Sequence, residues 1–213
     1  FCVGGRKAPD PYTVRWFANR WPAMPNERCE VLLYTPEHDA TLASLGVDGV
    51  RRVIDLWADR TAALAARDDV DYVLVFENRG AEVGATIEHP HGQIYAYDHV
   101  PARPARLLDA SWEPDLDPGD RFVGEHGEWL ASVPFASTYP VALSLAPQQR
   151  VPDIVSLSSA SRDELAALLV DVLGRLDTSP TVLPGPWPGQ LPAPSPAIVY
   201  PRAIEVAVLD ANG

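Results

Sequence analysis

The segment that most constrains the fold is 70–78, VDYVLVFEN. It is a continuous apolar run rich in β-branched and aromatic residues, which is typical of a central strand covered on both faces. Just before it, apolar residues recur at three- and four-residue spacing from Asp48 to about Arg67. That spacing predicts a helix with one buried face. The two patterns predict a fold of mixed strands and helices and leave its topology open.

Five further segments predict strands, and one predicts a second helix. The strand segments carry alternating or continuous apolar residues between breakers, and they are 12–18, 29–35, 93–100, 128–136 and 140–147. In 161–177, SRDELAALLVDVLGRLD, Ser161 and Glu164 have the spacing of a capping box, which predicts that a helix opens there. The glycine-containing stretch 79–86 and the Pro- and Asp-rich stretch 101–120 are expected to be loops.

The charge balance of the chain excludes several classes of partner. Its 213 residues carry a formal net charge of −12, which argues against a broad surface for nucleic acids or anionic membranes. No apolar stretch approaches the ~20 residues of a membrane span. Two cysteines are too few for a disulfide framework. We therefore expect a cytoplasmic protein, and because the chain begins with Phe1 we expect that the start of the natural protein is missing.

The stretch 88–101, EHPHGQIYAYDHVP, carries the residues best suited to chemistry. Side chains alternate along an extended segment, so His89, His91 and Gln93 are expected to project to one side. Pro90 restricts the backbone between the histidines, and Gly92 leaves room for a ligand phosphate to approach main-chain N–H groups. Two histidines packed near a surface strand would explain the His-x-His spacing alone, but not the glycine loop before it and the glutamine after it.

A family resemblance is carried by 76–97, FENRGAEVGATIEHPHGQIYAY. Its order of Phe-Glu-Asn-Arg-Gly, a second glycine and His-Pro-His-Gly-Gln closely resembles the active-site segment of galactose-1-phosphate uridylyltransferases, members of the histidine-triad superfamily. FCVGG at 1–5, WFANRWPAM at 16–24 and LLYTPEHDATLASL at 32–45 resemble other segments of that family. The resemblance covers residues 1 to about 177.

The resemblance implies a fold and a division of the chain. We expect an α+β, histidine-triad-like fold, a mostly antiparallel sheet with packed helices, followed by an incomplete second copy. The nucleotidyltransferase domain with the His-Pro-His-Gly-Gln motif would occupy 1–110 and the partial second half 111–177. The family also implies a homodimer, or association with a missing C-terminal portion.

The resemblance also implies a reaction. His91 would attack the α-phosphorus of UDP-glucose and form a uridylyl-imidazole intermediate as glucose 1-phosphate leaves. Galactose 1-phosphate would then take the uridylyl group, giving UDP-galactose. An imidazole with a pKa near 6.5 is available as a neutral nucleophile. Gln93 would donate to a phosphoryl oxygen without gaining or losing a proton, which favours transfer over hydrolysis.

Other residues of the family's sites have counterparts in this chain. Positions that contact phosphate or nucleotide are matched by Asn78, Gly84, Ala85 and Thr86, and positions of the uridine pocket by Phe1 and Asn19. The family's structural zinc site is matched by Cys2, His38 and His89, and its remaining cysteine would lie upstream of Phe1. A second metal site has no counterpart, because Leu107 stands near its expected glutamate. His99 and His126 are expected to be exposed polar residues, and Cys29 a core residue.

The tail 178–213 is compositionally different. Proline recurs every two to four residues to about Ala203, which excludes a helix and breaks sheet ladders. One interpretation is an irregular, flexible or polyproline linker that ends in a short edge strand, AIEVAVL, at 203–209. The other is a frame-shifted reading of a missing C-terminal half, because out-of-frame translation of GC-rich DNA produces such a composition.

Three functions stay open after this reading. The first is uridylyl transfer between UDP-glucose and galactose 1-phosphate. The second is a related histidine-triad transferase or phosphorylase that uses another nucleotide, such as a diadenosine or ADP-sugar substrate. The third is an inactive or partner-dependent fragment that only binds a nucleotide or a subunit.

Overall fold

The structure is a computed structural model that describes residues 12–79, 87, 89–111, 113–136 and 142–178, with the backbone alone of three strands outside those ranges. The strands are β1 (Cys2–Val3), β2 (Arg6–Lys7), β3 (Arg15–Ala18), β4 (Cys29–Leu33), β5 (Tyr72–Arg79), β6 (His91–Tyr97), β7 (Phe122–His126), β8 (Trp129–Ser132), β9 (Ser144–Pro147) and β10 (Arg202–Ala207). The helices are α1 (Gly46–Ala65), α2 (Ala102–Asp109) and α3 (Ser159–Thr178), and short 3-10 turns span Ala43–Leu45 and Gly119–Arg121.

A five-stranded antiparallel sheet forms the first layer. Its order is β10-β5-β6-β4-β3, which places β6 in the middle. Helix α1 covers one face, where Ile54 and Trp57 join Ile94 in a hydrophobic cluster. The helix predicted from Asp48 to Arg67 is thereby confirmed, because its apolar stripe meets the apolar face of the sheet.

The second sheet, in the order β7-β8-β9, packs with helix α3. Trp129 on β8 is buried, and its indole N–H donates to the Ser161 carbonyl and hydroxyl at 2.9 Å. Helix α3 packs against α1, and the buried side chains of both layers form one hydrophobic cluster. The predicted division of the chain at residues 110 and 177 stays a prediction.

Two expectations about helices are wrong. The stretch 101–120 contains α2, which tolerates Pro104 because the amide nitrogens of the first helical turn have no intrahelical acceptor. Helix α3 begins two residues before the predicted capping box, and the Ser158 hydroxyl accepts from the Ser161 N–H at 3.0 Å. Glu164 accepts instead from the backbone N–H of Glu128 at 3.0 Å. A serine three residues earlier therefore caps the helix.

The strand at 70–78 is also less enclosed than expected. Strand β5 begins at Tyr72, and its residues 74, 76 and 78 are only half-buried. Residues 73, 75 and 77 on one face of β5 are buried, whereas most of the other face is not. The expected edge strand near the end of the tail is present as β10, which pairs antiparallel with β5. Within the described residues, no helix is both long and apolar enough to cross a membrane.

A buried ion pair holds α1 on the sheet and provides a test of this packing. Arg60 makes two hydrogen bonds, at 2.9 and 2.7 Å, to the carboxylate of Glu30, whose side chain is 4% exposed. Its guanidinium also lies 3.5 Å from the centroid of the Trp16 ring. Removing one partner of a buried ion pair leaves the other charge buried without a counter-charge, which destabilises the folded protein.

We expect Arg60→Ala to lower the free energy of unfolding by about 3 kcal/mol, measured by urea denaturation. The matched control is Arg67→Ala, because the side chains of the Arg67–Asp69 ion pair are far less buried, at 32% and 42% exposed. That variant is expected to lose less than about 1 kcal/mol. Equal, small losses in both variants would contradict the packing described.

Candidate active site

Strand β6 presents two of the predicted residues on the face opposite α1. His91, Gln93, Tyr95 and Tyr97 are half-buried and alternate with buried residues that face the helix. Across the ladder, Leu33 lies opposite His91, whereas Val31 and Phe76 flank Gln93. The period of two places His91 and Gln93 side by side on one surface. The prediction that these two side chains share a face is confirmed.

The hydrogen bond of His91 determines which ring nitrogen carries a lone pair. Its Nδ1 lies 2.8 Å from the backbone oxygen of His89. A carbonyl only accepts, so in the neutral ring the proton is on Nδ1 and the lone pair is on Nε2. This contact joins residues two apart across Pro90, so it is built by the local turn. The contact therefore fixes the orientation of the ring and leaves Nε2 free of this hydrogen bond.

His89 is held by contacts outside β6. It precedes β6, is 4% exposed, and its Nε2 lies 2.9 Å from the Thr35 carbonyl. Its Nδ1 lies 3.3 Å from Nδ1 of His38. Thr35 and His38 are more than fifty residues earlier in the chain, so the spacing within 88–101 does not reveal these contacts. Burial lowers the pKa of His89, although the hydrogen bond with Thr35 opposes this.

The distance between the Nδ1 atoms of His38 and His89 matches that of two ligands on one ion. Tetrahedral zinc with Zn–N distances of about 2.0–2.1 Å separates two ligand nitrogens by about 3.3–3.4 Å, and the two Nδ1 atoms are 3.3 Å apart. The N–H of His89 toward a backbone carbonyl is the orientation that ligating histidines adopt. The side chain of Cys2 lies outside the described residues, and within them no group of three or more His, Cys, Asp or Glu forms a metal cluster. The two histidines fit half of a zinc site.

The remaining predicted site residues are placed as follows. Asn78 ends the half-buried face of β5 that includes Phe76, and it is therefore on the side of His91 and Gln93. Asn19 follows β3, and its side-chain oxygen accepts from the backbone N–H of Trp21 at 3.0 Å. Phe1, Gly84, Ala85 and Thr86 lie outside the described residues.

Three residues not assigned to the site are placed as predicted. His99 and His126 are exposed, and Cys29 is fully buried.

Comparison with known proteins gives the same family at several levels. The model of the galactose-1-phosphate uridyl transferase N-terminal domain matches residues 18–101. Galactose-1-phosphate uridylyltransferase of Streptomyces lividans is 39% identical over 197 residues, which is 83% of this chain and 55% of the relative. That of Thermotoga maritima is 30% identical over 208 residues, 83% of this chain and 65% of the relative. Over 83% of its length this chain is similar to galactose-1-phosphate uridylyltransferases.

Solved structures agree with the uridylyltransferase fold. A uridylyltransferase mutant superimposes with a TM-score of 0.73 at 25% identity, covering 83% of this chain and 67% of that one. An ADP-glucose phosphorylase from Arabidopsis thaliana, with bound ADP-glucose, gives 0.68 at 21% identity, covering 77% and 60%. The expected α+β, mostly antiparallel fold is confirmed. The chain spans 55% and 65% of the two curated uridylyltransferases described above.

Residues outside the His-Pro-His-Gly-Gln motif contact it, and the sequence analysis did not identify them. Thr35 accepts from His89 through its carbonyl, and the Tyr12 hydroxyl donates to the same oxygen at 2.9 Å. Tyr34 lies against Gly92, where an added Cβ would be 2.0 Å from the phenolic oxygen. Sequence analysis assigned the space at Gly92 to a ligand phosphate, whereas here a tyrosine fills it. A glycine inside a strand indicates that another group approaches the backbone closely. It does not show which group that is.

Proposed function

We propose that this chain transfers a uridylyl group from UDP-glucose to galactose 1-phosphate through a covalent intermediate on His91. The observation that carries the proposal is the 2.8 Å contact between His91 Nδ1 and the His89 carbonyl. It leaves the Nε2 lone pair on the face that also holds Gln93. Similarity to galactose-1-phosphate uridylyltransferases supports the same reaction.

The first half-reaction needs a nucleophile and no general base. His91 Nε2 forms a bond to the α-phosphorus of UDP-glucose, and the bond from that phosphorus to the bridging oxygen breaks. Glucose 1-phosphate leaves with the bonding electron pair. The ring becomes a cation when Nε2 is bonded to phosphorus, and the Nδ1–H bond to the His89 carbonyl stabilises that charge.

The second half-reaction reverses these bonds with another sugar. A phosphate oxygen of galactose 1-phosphate attacks the same phosphorus, the N–P bond breaks, and Nε2 recovers its lone pair. No proton is transferred in either direction, because both the entering and the leaving oxygens belong to phosphates. Gln93 suits this chemistry because an amide donates to a phosphoryl oxygen and stays neutral.

Nearby residues fit a nucleotide on this face. The rings of Phe76 and Tyr95 meet edge to face at 4.8 Å beside Gln93, an arrangement that offers apolar surface to a base. Asn78 stands at the end of the same face of β5. Binding of the substrate by Asn19, Phe1, Gly84, Ala85 and Thr86 belongs to the same proposal, on the strength of the motif alone.

A structural zinc ion is a separate part of the proposal. His38 and His89 would hold it together with Cys2, and a bound ion would tie the turn at His38 to the segment that carries His91. The 3.3 Å separation of the two Nδ1 atoms supports this assignment. The zinc would supply no reacting group, since His91 and Gln93 are outside its ligand set.

Association and location are further parts of the proposal. We propose a homodimer, because the resemblance to galactose-1-phosphate uridylyltransferases implies one. A cytoplasmic location fits the two cysteines and the acidic charge.

The alternative is that the donor is an adenine nucleotide, and one observation favours it. The fold is shared with an ADP-glucose phosphorylase at a TM-score of 0.68, so the scaffold is compatible with adenine nucleotides. Uridine is preferred because residues 16–24 resemble the family's uridine-site segment and the named relatives are uridylyltransferases.

Donor comparison tests the proposal. We expect UDP-glucose labelled at the α-phosphate to give an acid-labile protein adduct at least about tenfold faster than equally labelled ADP-glucose, since one mismatched binding group costs 1.4 kcal/mol or more. The label should then be released as UDP-galactose on addition of galactose 1-phosphate. Faster labelling by ADP-glucose favours the alternative. No adduct with either donor supports an inactive or partner-dependent fragment.

A further inference from the structure

Gly92 lies between His91 and Gln93 and packs against Tyr34 on the opposite face of the sheet. A Cβ at position 92 would be 2.0 Å from the Tyr34 hydroxyl oxygen, 2.9 Å from Cζ and 3.2 Å from the Phe76 carbonyl. The backbone of Gly92 does not have the positive φ of Gly46, Gly119 or Gly127. The requirement for glycine is therefore one of space and not of backbone conformation.

Tyr34 is held firmly in that position. It is 2% exposed, and its ring meets the Trp57 ring edge to face at 6.1 Å. Burial raises the pKa of Tyr34, the charge of Glu77 raises it further, and the indole of Trp57 lowers it. No hydrogen bond of normal geometry reaches the Tyr34 hydroxyl from the described part of the chain. The phenol is thus fixed by packing in a dense interior, where displacement is costly.

Tyr34 and Thr35 contact the segment 89–92, which carries both histidines, at two points. The Thr35 carbonyl accepts from Nε2 of His89 at 2.9 Å, and the Tyr34 ring supports Gly92. His91 stands between these points, and its Nδ1–H donates back to the His89 carbonyl. A shift of the backbone at Gly92 would move the adjoining His91, whose ring makes that hydrogen bond.

We propose that Tyr34 is a positioning residue for His91, and that Gly92 is required because this phenol occupies the space of a side chain. The inference rests on the proposed role of His91 as nucleophile. It predicts that the penalty of a methyl group at position 92 depends on what stands at position 34. If instead the glycine serves the approach of a ligand phosphate, the penalty is the same whatever residue stands at position 34.

A double-mutant experiment distinguishes these two explanations for Gly92. Gly92→Ala is introduced into the wild-type chain and into Tyr34→Leu, whose side chain is too short to place atoms where Cζ and Oη stood. The rate of adduct formation at saturating UDP-glucose is measured in all four proteins. We expect Gly92→Ala to slow it about a hundredfold in the wild-type chain, the scale of a 1 Å misplacement, and less than about tenfold in Tyr34→Leu.

Gly174→Ala is the matched control, because an added Cβ there has open space. It should change the rate by less than about twofold, since alanine is accepted in a helix. Tyr34→Leu alone should lower the saturating rate about tenfold and leave the half-saturating UDP-glucose concentration within about twofold, because the ring contacts the backbone beside the nucleophile and not the substrate. Equal penalties of Gly92→Ala in both backgrounds overturn the inference.

A second readout does not depend on activity. Nitrogen NMR of the His91 ring should report the proton on Nδ1 in the wild-type chain, exchange between the two nitrogens in Gly92→Ala, and recovery of the Nδ1 proton in the double variant. If the wild-type chain forms no adduct but this recovery is seen, the proposed function fails and the role of Tyr34 stands. If Gly92→Ala does not fold alone but folds with Tyr34→Leu, the steric origin is supported; if neither folds, the inference is contradicted.

Discussion

Replacing His91 by alanine is expected to abolish the labelled adduct formed from UDP-glucose. The lone pair on Nε2 is the only part of this ring that the structure leaves oriented for attack, because Nδ1 is held by the His89 carbonyl at 2.8 Å. Loss of a covalent nucleophile typically lowers the rate by roughly a thousandfold or more. The measurement is acid-labile label on the protein after incubation with UDP-glucose labelled at the α-phosphate.

The control for this variant is His99→Ala. His99 lies on the exposed loop after β6, where its ring contacts Asp98 at 2.9 Å. Its removal tests whether any accessible imidazole captures the label. We expect wild-type labelling in this variant, and a His91→Ala protein that keeps the adduct while folding normally would refute the assignment of the nucleophile.

Loss of zinc binding is the second large effect expected. If His38 and His89 are both ligands, replacing either by alanine should weaken zinc binding at least about a hundredfold, since even loss of a ligand's supporting group costs about 10–100-fold. Zinc should also raise the melting temperature of the wild-type chain, because a metal that binds only the folded state stabilises it. Calorimetric titration of metal-free protein with zinc, together with thermal unfolding, measures both effects.

The matched control is His126→Ala, since His126 is exposed on β7. This variant should bind zinc as the wild-type chain does. Zinc binding of unchanged affinity in His38→Ala and His89→Ala would remove the metal assignment, and it would leave the proposal for His91 untouched.

The spacing of apolar residues along the chain predicted the helices and strands that have one continuous buried face. Helix α1 was predictable because its apolar residues recur at helical spacing, and β6 because one half of its residues faces the core. Strand β7 was missed because it is mostly exposed and carries a bulge between Phe122 and Gly124, so it has no apolar alternation. Helix α2 was missed because its prolines stand at the one end of a helix where they are tolerated.

Of the candidate site, the sequence predicted the arrangement of the residues that lie on one strand, and not the contacts made by residues distant in the chain. His91 and Gln93 share a face because both are on β6, and the sequence shows this spacing. The ring of His89 is also fixed by Thr35 and His38, more than fifty residues earlier in the chain, and local spacing does not reveal these contacts. Tyr34 was not identified at all, since a contact across the sheet leaves no local pattern beyond the glycine that it requires.

The central claim is that Nε2 of His91 accepts the uridylyl group. The most direct measurement is peptide mapping by mass spectrometry of protein incubated with UDP-glucose and digested at alkaline pH, where phosphoramidates survive. The account predicts one uridylyl group, on the peptide that contains His91, and its loss when galactose 1-phosphate is added before digestion. A uridylyl group on any other residue, or an unmodified His91 in protein that produces UDP-galactose, would contradict it.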